Sequence, residues 1–191
     1  MANHVNTSVR FEKLNDAGRA KLQELYSRIR TGGQTYQWFS DIFGLDKEVS
    51  DTYQWNTENV GPKWCYFEDR GEDYFNTISA WSYPEYGLSW LFDQIAEADP
   101  EFLATVFYED EMPNFFGVYL FNKDGMIDGC EWDEDEITEM MEEANPSLRE
   151  LDKDEQSEVY YGIWSDNIWD VVHDKQSQVY NDIMEYLKNQ N

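Results

Sequence analysis

An α+β protein is predicted by three features of the 191-residue sequence: strand-like alternation near the start, later segments with apolar residues at helical spacing, and aromatic-rich runs between residues 102 and 132 separated by turn residues. Eight Trp, 13 Tyr and 11 Phe supply core material that disordered acidic chains lack. A length of 191 residues suits one ordinary domain, or one domain with a helical appendage.

Val5, Thr7, Val9 and Phe11 alternate along residues 4–11 and define a first strand. Asn15 and Asp16 are helix-capping residue types, and Leu22, Leu25, Tyr26 and Ile29 follow at helical spacing. Thr31, Gly32 and Gly33 end that helix. Residues 36–49 read as one or two short helices carrying Trp38, Phe39, Ile42, Phe43 and Leu45, part of an insertion near residues 34–58. Two strands over residues 63–68 and 74–81, joined by the turn-like residues 69–73, propose a hairpin. Pro84 begins a helix in which Leu88, Leu91, Phe92, Ile95 and Ala96 form one stripe, and Asp99-Pro100 stops it. Residues 102–108, 114–121 and 126–132 then read as a three-stranded antiparallel meander. This order allows a ferredoxin-like βαββαβ core within residues 1–132, with two helices on one sheet face and additional antiparallel strands.

Beyond residue 132 the composition shifts to helix formers and carboxylates, so residues 133–191 are expected to be an acidic C-terminal helical extension packed on the first domain. Asp133, Glu134, Asp135 and Glu136 open a helix whose N-terminal dipole tolerates negative charge, Ile137, Met140 and Met141 form its apolar side, and Pro146 breaks it. A further helical stretch runs to residue 189, interrupted near Ser165-Asp166-Asn167. Its apolar set is Ile168, Val171, Val172, Val179, Ile183, Met184 and Leu187.

The formal charge is −26, from 40 acidic against 14 basic side chains, which disfavours direct contact with nucleic acid phosphates or anionic lipid heads. It is also lopsided. Residues 1–60 are net −1, whereas residues 61–191 are net −25. Cys65 and Cys130 alone give neither a disulfide framework nor a structural zinc set, and reduced thiols are the simpler reading. No apolar run approaches the roughly 20 residues of a membrane span, and residues 1–10 lack a signal-peptide pattern. The expected location is the cytoplasm.

Candidate chemistry is sparse. Nucleophilic catalysis by Ser or Cys calls for a neighbouring His and acid, and the only histidines are His4 and His173. Asp170, His173 and Asp174 have helical spacings that could chelate a metal, but a polar exposed helix face explains them better. Residues 122–128 resemble a calcium loop only superficially, since Met126 falls where an oxygen ligand belongs, and Asp124-Gly125 reads as a hairpin turn. Trp64, Trp81 and Tyr83 beside Lys63 could make an aromatic stacking surface, although aromatic strand residues favour the core and a basic groove is missing. No catalytic residue, cofactor or metal is therefore expected.

The sequence resembles the Api92-like family (the YubB group) of phage and plasmid proteins. The likeness covers residues 1 to about 132 and rests on Met1-Ala2-Asn3, Gly61-Pro62-Lys63-Trp64, Phe75-Asn76-Thr77-Ile78-Ser79-Ala80-Trp81-Ser82-Tyr83-Pro84, Tyr108-Glu109 and Phe116-Gly117. Pro62 and Tyr83 depart from the family pattern. The resemblance implies a mobile-element origin and a ferredoxin-like fold, and brings no activity with it.

From residue 128 to 158 there are 14 acids against Arg149 and Lys153, net −12 in 31 residues. As helix this stretch spans about 45 Å, or about one net charge per 4 Å, near the roughly 3.4 Å phosphate spacing of one DNA strand. The leading expectation is thus a non-enzymatic DNA mimic that blocks the nucleic-acid groove of a basic host defence protein, such as a restriction or CRISPR effector. Asp128, Glu131, Asp133, Glu134, Asp135, Glu136, Glu139, Glu142 and Glu143 would form its partner-binding surface, with Trp132 as an anchor. The competing expectation is an assembly module that self-associates through aromatic surface including Trp164 and Trp169, and an enzyme is third.

Overall fold

The computed structural model describes residues 3–30, 36–50, 52–151 and 157–190. It is an α+β structure with a seven-stranded antiparallel sheet in the order β2-β3-β4-β1-β5-β6-β7. The strands are β1 (His4–Lys13), β2 (Gln37–Trp38), β3 (Cys65–Arg70), β4 (Tyr74–Ala80), β5 (Leu103–Asp110), β6 (Phe115–Asn122) and β7 (Gly125–Asp133). The chain divides into two compact units, one of Met1–Glu111 with Tyr119–Asp128 and one of Met112–Val118 with Gly129–Asn191.

In the first unit β1 pairs antiparallel with β4 on one edge and with β5 on the other. Its alternation places Val5, Val9 and Phe11 in the core and leaves His4, Asn6 and Arg10 exposed. Cross-strand partners repeat the choice: Val9 faces Phe75 of β4 and Val106 of β5, both fully buried. Two helices cover this inner layer. In α1 (Asp16–Ser27) Tyr26 meets Phe67 and Phe75 edge-on, and in α4 (Glu85–Ala98) Phe92 meets Phe11 in the same manner.

The expected caps are present, with one difference. Asn15 is the N-cap of α1, its side chain accepting from the Gly18 N–H. The helix closes at Ser27 with Arg28 as C-cap, so the stop expected at Thr31-Gly32-Gly33 falls outside the described residues. The insertion is helical, as a 3₁₀ turn over Phe39–Phe43, α2 (Lys47–Ser50) and α3 (Tyr53–Asn59), but it also contributes β2, a two-residue edge strand too short for periodicity to reveal. The β3–β4 hairpin is present, with a register irregularity between Phe67 and Asp69. Strands β5, β6 and β7 follow one another in the sheet as the meander requires.

The second unit holds α5 (Glu134–Ala144), a 3₁₀ turn over Pro146–Glu150, and α6 (Ser157–Gln190). Trp132 stacks on Phe116, ring centroids 4.7 Å apart. Ile137, Met141, Leu148, Ile168, Val172 and Ile183 are buried. The break expected near Ser165-Asp166-Asn167 is corrected: α6 is one 34-residue helix. Ser165 Oγ donates to the Gly162 carbonyl and Asn167 Nδ2 to the Ile163 carbonyl, so side chains typical of turns bond back along the helix without opening it.

Asp99, only 1% exposed, links the end of α4 to the start of α1. Its carboxylate accepts the Asn15 N–H at 2.7 Å and the Glu101 N–H at 3.1 Å. Replacing it with Ala strands both donors and is expected to cost about 2–4 kcal/mol, read from the urea midpoint, with Asp99→Asn losing less.

Candidate functional site

The acidic surface is organised by α5. Asp133 is its N-cap and accepts from the Asp135 and Glu136 N–H groups, while the Glu136 carboxylate accepts the Asp133 N–H, completing a capping box. Ile137 and Met141, four residues apart, are buried, and Asp135, Glu139 and Glu143 lie at i, i+4, i+8 on the other side and are exposed. Among the described residues Glu134, Asp135, Glu139 and Glu143 form no ion pair, whereas Glu142 lies 3.7 Å from Arg149. Helix dipole and box tolerate this charge in the first turn; further along, only solvent does.

The ten residues expected to meet a partner therefore separate. Glu131, Asp133, Glu134, Asp135, Glu136, Glu139 and Glu143 are exposed in the second unit, and Glu142 is half-buried there. Asp128 is exposed and belongs to the first unit. Trp132, at 8% exposure, is a core residue stacked on Phe116, which removes it as a surface anchor.

Most of the exposed aromatic side chains among the described residues lie instead in the first unit. Trp81 is 53% exposed, which corrects its expected core placement, while Trp64 and Tyr83 are half-buried. The Lys63 ammonium sits 4.9 Å from the Tyr53 ring centroid and 5.1 Å from that of Trp81, a cation held between two π faces. Trp81 has φ of 67°, the left-handed region that bulky residues avoid. Its N–H donates to the Asn3 carbonyl, and Ser79 Oγ donates to the Ser82 carbonyl, holding the turn closed behind β4. Alongside, Trp64 stacks on Tyr66, and Tyr66 meets Trp38 edge-on. Burial, and secondarily Tyr36, pushes the Tyr66 phenol up, so it stays neutral through the physiological range.

Two clefts flank the Tyr53–Lys63 pair. One of about 410 Å³ is bordered by Trp81, Thr57, Gln54 and Ser82. The other, about 300 Å³, is bordered by Trp38, Trp64, Ser40 and Asn56. Composition pointed to Trp64, Trp81 and Lys63; nothing in the sequence marked Tyr53, Ser40 or Asn56, because the insertion brings them together through tertiary packing.

The remaining candidates are resolved by their placement. Asp170, His173 and Asp174 are exposed on α6, and among the described residues no group of three or more metal-ligating side chains could hold an ion. Asn122 Oδ1 accepts the Asp124 N–H and Gly125 has φ of 102°, a hairpin turn between β6 and β7. Burial pushes the Cys65 thiol up, away from reactivity, and Cys130 is exposed. Among the described residues no helix is long and apolar enough to cross a membrane. No protein-family model matches the chain, and no curated protein matches it.

The backbone at residue 81 supplies a direct check. Trp81→Gly is expected to be more stable than Trp81→Ala by about 1 kcal/mol, the reverse of the usual order, because only glycine relaxes at positive φ. Paired denaturant titrations measure the difference, and equal midpoints would remove the strain argument.

Proposed function

We propose that this chain is a non-enzymatic protein of a mobile genetic element that acts in the host cytoplasm as a DNA mimic, occupying the basic groove of a nucleic-acid-binding defence protein. The observation that carries the reading is α5: a capped helix with one buried apolar side and an exposed carboxylate side that the chain does not neutralise. Charge of −26 adds long-range attraction toward a basic partner and repulsion from nucleic acid. The resemblance to the Api92-like group supports the origin. Consistent with a ferredoxin-like core, the elements β1, α1, β3, β4, α4 and β5, taken in chain order without the insertion between α1 and β3, have their strands in the order β3-β4-β1-β5.

A second reading, self-association, is favoured by the exposed Tyr36, Tyr53 and Trp81. Light scattering separates them: a stable oligomer that Trp81→Ala dissolves supports assembly.

The mimicry test must spare Asp133 and Glu136, whose loss would unfold the helix start and confuse folding with binding. Partners are captured on the tagged chain, eluted by salt and challenged with duplex DNA. The triple variant Asp135→Asn, Glu139→Gln, Glu143→Gln should weaken capture of a DNA-displaceable partner about tenfold and flatten its salt dependence. Unchanged affinity at physiological salt would sink the reading.

A further inference from the structure

Two polar side chains, Ser40 and Asn56, border the smaller cleft with hydrogen-bonding capacity to spare. Ser40 is 2% exposed, borders the cleft, and its hydroxyl has no hydrogen-bond partner among the described residues. Asn56 is 5% exposed; its Nδ2 donates to the Ser50 and Thr52 carbonyls, which leaves Oδ1 as its remaining polar atom. Ser40 Oγ is not one of the enclosed polar atoms left without a partner, so it opens to the cleft and is placed to meet a group that arrives from outside. A separate sign of use is Trp81, held exposed at positive φ beside the same Lys63.

From this geometry we infer that the cleft binds an uncharged nucleoside, its base between the aromatic walls and its sugar across Tyr53 in the neighbouring cleft. The smaller cleft is lined by three aromatic side chains, Trp38, Trp64 and Tyr53, and three polar ones, Ser40, Asn56 and Lys63. A nucleobase has two apolar faces to stack and one edge carrying both donors and acceptors, which this balance matches. A monosaccharide carries hydroxyls around its whole ring, and most would meet aromatic carbon here without a partner. Ser40 can donate or accept, Asn56 Oδ1 accepts and Lys63 donates, enough to read one base edge. Thr57, Gln54 and Ser82 in the larger cleft suit ribose hydroxyls. Charge sets the remaining limit: at −26, with Lys63 the one cation among the described residues that border either cleft, polyphosphates and nucleic acid chains are repelled while a neutral nucleoside is not. This site is independent of the α5 surface, and either can fail without the other.

The full chain is titrated with adenosine, cytidine and uridine at millimolar concentration by calorimetry and tryptophan fluorescence, with glucose and ATP in parallel. At least one nucleoside should saturate, with a Kd that salt does not change. Ser40→Ala should weaken it about fivefold, the loss of one hydrogen bond. Because that hydroxyl has no protein partner, the variant's thermal midpoint should stay level or rise, so lost binding is not lost folding. Absence of nucleoside binding, glucose binding alone, ATP binding more tightly than adenosine at low salt, or an unaltered Kd in Ser40→Ala would each overturn the inference.

Discussion

Strand β1 is hydrogen-bonded to β4 along one edge and to β5 along the other, and this double pairing decides which side of the first unit every neighbouring residue faces. Val5, Thr7 and Val9 lie opposite Ser79, Thr77 and Phe75 on one side and Asp110, Tyr108 and Val106 on the other, all buried. A slip of one residue would exchange them for Asn6, Ser8 and Arg10 and place polar groups beneath α1 and α4. The same register aligns Trp38, Tyr66, Ile78 and Asn6 in one row across β2, β3, β4 and β1, on the opposite face. The helix-facing core and the aromatic face are therefore two consequences of one pairing.

Elements with a strong local signal were legible in the sequence. The alternation of Val5 to Phe11, the stripe of Leu88, Leu91, Phe92 and Ile95, and the acid run opening α5 each depend on neighbours within a few residues, and each stands where expected. What could not be read depends on distant residues. Strand β2 exists because Gln37 and Trp38 pair with Phe67 and Tyr66, roughly thirty positions away. Continuity of α6 through Ser165 and Asn167 depends on side chains bonding back to carbonyls, a choice that propensity leaves open. Trp132 and Trp81 exchanged their expected places, one buried and one exposed, because burial of an aromatic residue follows from what packs over its strand or turn. For the candidate sites, charge was visible by counting, whereas the clefts beside Tyr53 depended on a fold that brings residues 38–40, 53–56 and 63–64 together.

The negative charge is placed where the fold tolerates it. In α5 two acids, Asp133 and Glu136, satisfy backbone donors at the helix start, and others point away from Ile137 and Met141. Buried carboxylates in the first unit are treated differently: Asp41 pairs with Arg30 and also accepts the Arg30 N–H, and Asp99 accepts two backbone N–H groups. Asp41 and Asp99 thus have dedicated donors. The acids along the exposed side of α5 do not, and the fold would lose little if they were neutral.

That contrast separates the two surfaces by the kind of cost each carries. The acidic helix obeys every local rule, with a proper cap, an apolar stripe and solvated charge, and its unpaired carboxylates burden the molecule only through long-range repulsion. Around Tyr53 and Lys63 local rules are broken at short range: a bulky residue at positive φ and large aromatic rings left in solvent. Long-range repulsion is relieved by anything basic that approaches, so it favours a large partner of opposite charge and sets little stereochemistry. Short-range violations are relieved only by a group of matching shape and hydrogen-bonding pattern. On the proposed readings one surface would select by field and the other by fit, and the net charge of −26 would disfavour strongly anionic ligands at either.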